Sequence, residues 1–62
     1  MIKITRLNDQ EAVLNCELIE TVEANPDTTI TTTTGRKFIV KESVEDIVAA
    51  TRKYKKEIHN NI

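Results

Sequence analysis

The chain has 62 residues, nine Lys/Arg against ten Asp/Glu, a net charge of −1, and a single Gly, Pro, Cys, Phe and Tyr. One cysteine excludes an internal disulfide, and Cys16 with His59 falls short of a four-ligand zinc site. A chain this short buries only about 60% of its unfolded surface, so its core contributes about 3–5 kcal/mol, and self-association is expected to add to it.

Residues 1–7 alternate, with Ile2 and Ile4 facing one way and Lys3 and Thr5 the other, which predicts a half-buried strand. Asn8-Asp9 follows as a tight turn, because both residue types tolerate left-handed backbone angles. Residues 11–15 predict a second short strand that buries Ala12 and Leu14. Asn15 can bond the backbone ahead of it and start one helical turn, from which Leu18 is expected to drop into the core.

Residues 20–24 alternate again, with Val22 and Ala24 opposite Thr21 and Glu23. Asn25-Pro26-Asp27 is the strongest turn signal in the chain. Residues 28–33 are β-branched throughout, which suits a pleated surface and disfavours helix. Thr34-Gly35 closes the next hairpin, with Gly35 supplying a positive φ. Residues 36–41 predict a fifth strand, with Phe38 and Val40 inward.

Ser43 caps a helix over roughly residues 44–58, with Asp46 in the capping-box position. Val44, Ile47, Val48, Thr51, Tyr54 and Ile58 form its apolar stripe. A carboxylate at Val48 is therefore expected to unfold the domain. Glu45 and Asp46 complement the positive end of the helix dipole, and Arg52, Lys53, Lys55 and Lys56 the negative end. Residues 59–62 are expected to fray. The elements together predict a single α+β domain over residues 1–62: a β-meander of four to five strands within residues 1–41, followed by one helix packed on the sheet.

No segment has the length and apolarity of a membrane span, and the N-terminus lacks the sections of a secretion signal. A lone cysteine suits a reducing compartment, so the expected location is cytoplasmic. Charge is unevenly spread. Residues 1–35 hold two basic and six acidic side chains, a net of −4, and residues 36–62 hold seven basic and four acidic, a net of +3. The two halves can attract each other within one chain or between chains.

Chemistry is sparse. A hydrolase needs a nucleophile, a base and a group that orients the base. Cys16 and His59 are the only obvious pair, and they read more simply as a packed thiol and an exposed imidazole. One glycine cannot build a phosphate-binding loop. No catalytic residue, metal site or cofactor is expected. Two surfaces are candidate partner contacts. One is the basic cluster Arg52, Lys53, Lys55 and Lys56, which could meet an acidic protein or nucleic-acid phosphates, although dipole compensation accounts for it more simply. The other is the threonine strand, with Thr29, Thr31 and Thr33 on one face, read either as an exposed sheet face or as an edge that pairs with a second copy.

Several pieces of the chain, in order, resemble the flagellar FlbD family. They are Ile4-Thr5-Arg6-Leu7-Asn8, Leu14-Asn15, Leu18-Ile19-Glu20, Pro26-Asp27-Thr28, Ile30-Thr31, Gly35-Arg36-Lys37 and Val40-Lys41-Glu42-Ser43-Val44-Glu45. The resemblance runs from Met1 to about Tyr54. It departs from the family pattern at Asp9, where glycine is usual, at Thr32, where an apolar residue is usual, and at Thr34, where asparagine is usual. The resemblance implies a small cytoplasmic, non-enzymatic protein that supports motor power in swarming, acting on the torque-generating stators. It carries no cofactor and no binding residue. A rival resemblance, in the opening six residues, the length and the element order, is to the RNA-binding regulator CsrA, with the negative net charge against it. Gly35, Phe38, Val40, Ser43 and Val44 also resemble, faintly, the end of LytTR-type DNA-binding domains.

Overall fold

A computed structural model describes residues 1–60, with side chains described as far as Glu57. Five strands and one helix follow in chain order: β1 (Ile2–Thr5), β2 (Glu11–Leu14), a 3₁₀ turn (Cys16–Leu18), β3 (Ile19–Ala24), β4 (Thr28–Thr32), β5 (Lys37–Val40) and α1 (Val44–Asn60). The class is α+β, as expected. The helix runs to Asn60, two residues past its expected end. Of the segment expected to fray, residues 61–62 lie outside the described residues.

The strands do not form one continuous meander. β1 and β2 make an antiparallel hairpin, and β3, β4 and β5 make a separate antiparallel sheet in that order. The break falls between β2 and β3, where the chain turns through the 3₁₀ segment. The Asn15 side chain starts that turn by accepting the Glu17 N–H at 3.0 Å. The two sheets meet elsewhere, at an antiparallel bridge between Arg6 and Val40. Beside it the Lys41 N–H donates to the Thr5 carbonyl at 2.8 Å, and the Thr5 N–H donates to Glu42 Oε1 at 2.9 Å. Partial burial pushes the Glu42 carboxyl up, but the hydrogen bonds from Thr5 outweigh it and hold the group below its ordinary value.

Local chemistry sets the turns. Asp9 takes φ 70° and Gly35 φ 87°, the left-handed region that few side chains enter. The Asp9 carboxylate also pairs with the Lys41 ammonium, tying the first hairpin to the end of β5. Asn25-Pro26 is a cis peptide, and the Asn25 N–H donates to the Asp27 carbonyl at 3.1 Å. Ser43 and Asp46 cap α1 reciprocally: the Asp46 N–H donates to Ser43 Oγ at 3.1 Å and the Ser43 N–H to Asp46 Oδ2 at 3.3 Å.

The core gathers Ile2 and Ile4 of β1, Leu14 of β2, Cys16, Ile30 of β4, Val40 of β5 and Ile47 of α1. Each fully buried Ile contributes about 1.5–3 kcal/mol. Two expectations about this core are corrected. Leu18 does not enter it and is 42% exposed, whereas Cys16 is buried. A 3₁₀ turn has three residues per turn, so the inward face falls on Cys16 and Ile19. The helix stripe is also rotated from the expected one. Ile47 is 2% exposed and Val48 is 42% exposed, while Ala50 and Tyr54 pack against the core. Val48 therefore lies beside the seam, and a carboxylate there stays in solvent. The Ile58 side chain lies outside the described residues.

Candidate functional site

The threonine strand is not an edge. β4 is the middle strand, paired with β3 on one side and β5 on the other, so its backbone cannot recruit a second copy. Residues 28–32 meet two neighbours because the turns before and after them both close tightly. The strand alternates cleanly. Thr28, Ile30 and Thr32 are buried, and Thr29 and Thr31 are half-buried on the other face. Across the sheet Glu23, Thr29 and Ile39 form one outward row, and Thr21, Thr31 and Lys37 the next. Thr33 is exposed in the following turn, where its N–H donates to the Leu18 carbonyl at 2.8 Å. Thr32, one of three positions read above as departing from the family pattern, is 4% exposed. Its hydroxyl bonds the Thr34 hydroxyl at 2.9 Å and the Arg36 carbonyl at 3.3 Å, so burial leaves it satisfied.

Arg52, Lys53, Lys55 and Lys56 are all exposed on α1. Arg52 and Lys55 rim a shallow groove floored by Cys16, Ile19, Val22, Ile47 and Val48. A register shift in β3 between Ile19 and Thr21 turns Ile19 and Val22 to the same side, towards the helix. Because α1 covers the inner face of the sheet, its basic cluster and the outward threonines lie on opposite sides. The fold does not bring the two candidate sets together. Cys16 is a free, buried thiol, and the His59 side chain lies outside the described residues. Among the described residues no three His, Cys, Asp or Glu side chains are grouped as metal ligands.

Sequence reading missed a third surface. Two guanidinium groups lie over the Phe38 ring, Arg6 at 5.5 Å and Arg36 at 5.4 Å from its centroid, within cation–π range. Arg36 and Phe38 are two residues apart around a strand start and so share a face, which the sequence does display. Arg6 arrives only because the Arg6–Val40 bridge places it diagonally across from Phe38. Leu7, Asn8, Lys37 and Ile39 complete a hollow around the pair of arginines.

The geometry defines a small α+β unit with open surfaces and a dense local turn chemistry. Residues 1–59 match the FlbD family, described as flagellar and swarming motility proteins. With nearly the whole chain matched, this protein belongs to the FlbD family. It is therefore associated with flagella and swarming motility. No curated protein and no solved structure gives a significant match to the chain. No described helix is long and apolar enough to cross a membrane.

Proposed function

We propose that the protein is a non-enzymatic accessory of the flagellar motor that raises motor power during swarming, in the manner of the family's swarming protein SwrD. It acts in the cytoplasm through protein contacts, as a homo-oligomer, with stator components as its partners. The family match over residues 1–59 carries this reading. Deleting the gene and measuring torque on tethered motors tests it. Torque falls with otherwise assembled flagella if the reading holds, and unchanged torque and swarming sink it.

The second reading is a small RNA- or DNA-binding regulator, favoured by the exposed cations of α1. A titration with single-stranded RNA and duplex DNA separates the two. Salt-dependent binding at low ionic strength supports the regulator, and none at low salt removes it.

A further inference from the structure

We infer that the open edge of β5 is a docking site for an extended acidic segment of a partner protein, which adds there as a further strand. β5 pairs with β4 on one side only, and on its other side just Val40 is bridged, to Arg6. Among the described residues the outward main-chain groups at Lys37 and Ile39 are thus left without a paired strand, while those of Phe38 face β4. An unpaired edge of this kind takes an incoming strand through main-chain hydrogen bonds, and flanking side chains set the specificity.

Those flanking groups specify the occupant. Among the described residues, the hollow beside the edge holds three cations, Arg6, Arg36 and Lys37, and no carboxylate. Among the described residues neither arginine forms an ion pair; the two ion pairs use Lys3 and Lys41. Both guanidinium groups rest on the Phe38 ring, which limits their freedom before any ligand arrives and leaves their N–H edges for bidentate carboxylates. Leu7 and Ile39, 48% and 47% exposed, give the hollow an apolar part that suits an aliphatic side chain between two acidic ones. Free phosphate would leave that part unused. An extended nucleic acid, which engages about 6–10 phosphates in a typical complex, would find three cations on a chain of net charge −1. A second copy fits less well. Its open strand β2 offers one carboxylate, Glu11, already paired with Lys3. Its open strand β3 carries Glu20 and Glu23, but Arg52 and Lys55 rim the groove along the same strand and would face Arg6 and Arg36. The site belongs to this chain's surface whatever its pathway, so it stands or falls apart from the torque measurement.

The test is a titration of the full-length, ¹⁵N-labelled chain with a blocked peptide of sequence Thr-Glu-Val-Glu-Leu-Glu-Thr. Amide shifts confined to residues 6–8 and 36–39, with slowed hydrogen exchange at Lys37 and Ile39, are expected. Replacing the peptide's three Glu by Gln, or making Arg36→Gln in the protein, should weaken binding about tenfold, with the melting curve of the variant unchanged. Arg6→Gln gives a second variant should Arg36→Gln fail to fold. Shifts elsewhere, no shifts, or equal binding of the Gln peptide overturn the proposal. So does tighter binding of a ten-nucleotide single-stranded RNA at the same residues. Concentration-dependent shifts there without peptide would place a second copy on the edge and overturn it too.

Discussion

At Thr32 a polar residue is buried on the core-facing side of β4, and its hydroxyl is satisfied by Thr34 and the Arg36 carbonyl. That carbonyl also accepts the Thr32 N–H at 2.9 Å, so it keeps a partner without the hydroxyl. Removing both the hydroxyl and its desolvation is then close to neutral. Thr32→Val should leave the melting temperature unchanged or raise it, and a clear drop would show that the hydroxyl bonds matter more than the shape. Glu42 acts at the same scale. Its carboxyl is held below the ordinary value when folded. It therefore contributes stability above its unfolded value, and that contribution is lost as pH falls through the folded one. Thermal melts from about pH 6 to pH 3 should show a shallower acid loss in Glu42→Gln than in the parent chain.

Elements divide into those written locally and those set by packing. The turns were legible because each is decided within a few residues: Asp9 and Gly35 for positive φ, Asn15 for the 3₁₀ turn, Ser43 with Asp46 for the cap. What escaped depends on neighbours far along the chain. Alternation cannot reveal the shift in β3 or the central place of β4, and helical periodicity did not separate Ile47 from Val48. The Phe38 stack was hidden for the same reason, since half of it comes from β1's end. The rotated helix stripe yields a paired outcome. Ile47→Asp should abolish cooperative unfolding, because it buries a charge. Val48→Asp should melt within about 0.5 kcal/mol of the parent. Circular dichroism decides, and equal damage from both would return Val48 to the seam.

At the scale of the whole molecule, one small core of seven buried side chains among the described residues is set against exposed Val13 on β2, Leu18, Ile39 and Val48. Such a core is thin by itself, and β2 and β3 each leave one edge without a strand partner among the described residues. These edges, not the threonine strand, are where self-association is to be sought. Light scattering at micromolar concentration should give a mass above that of one chain. A stable monomer there would contradict the proposed oligomer.

The bond from Thr5 to Glu42 joins residues 37 positions apart, whereas every hairpin in the molecule closes over a short turn. Contacts between such distant positions need more chain to be ordered first. The seam is then a latch expected to engage last and to let go first. Its strength governs how long each molecule stays closed, not how quickly it closes. In stopped-flow experiments Glu42→Ala, which removes the acceptor, should speed unfolding and leave refolding nearly unchanged. Because Arg6 reaches Phe38 only through that latch, a chain that opens there also disperses its paired arginines.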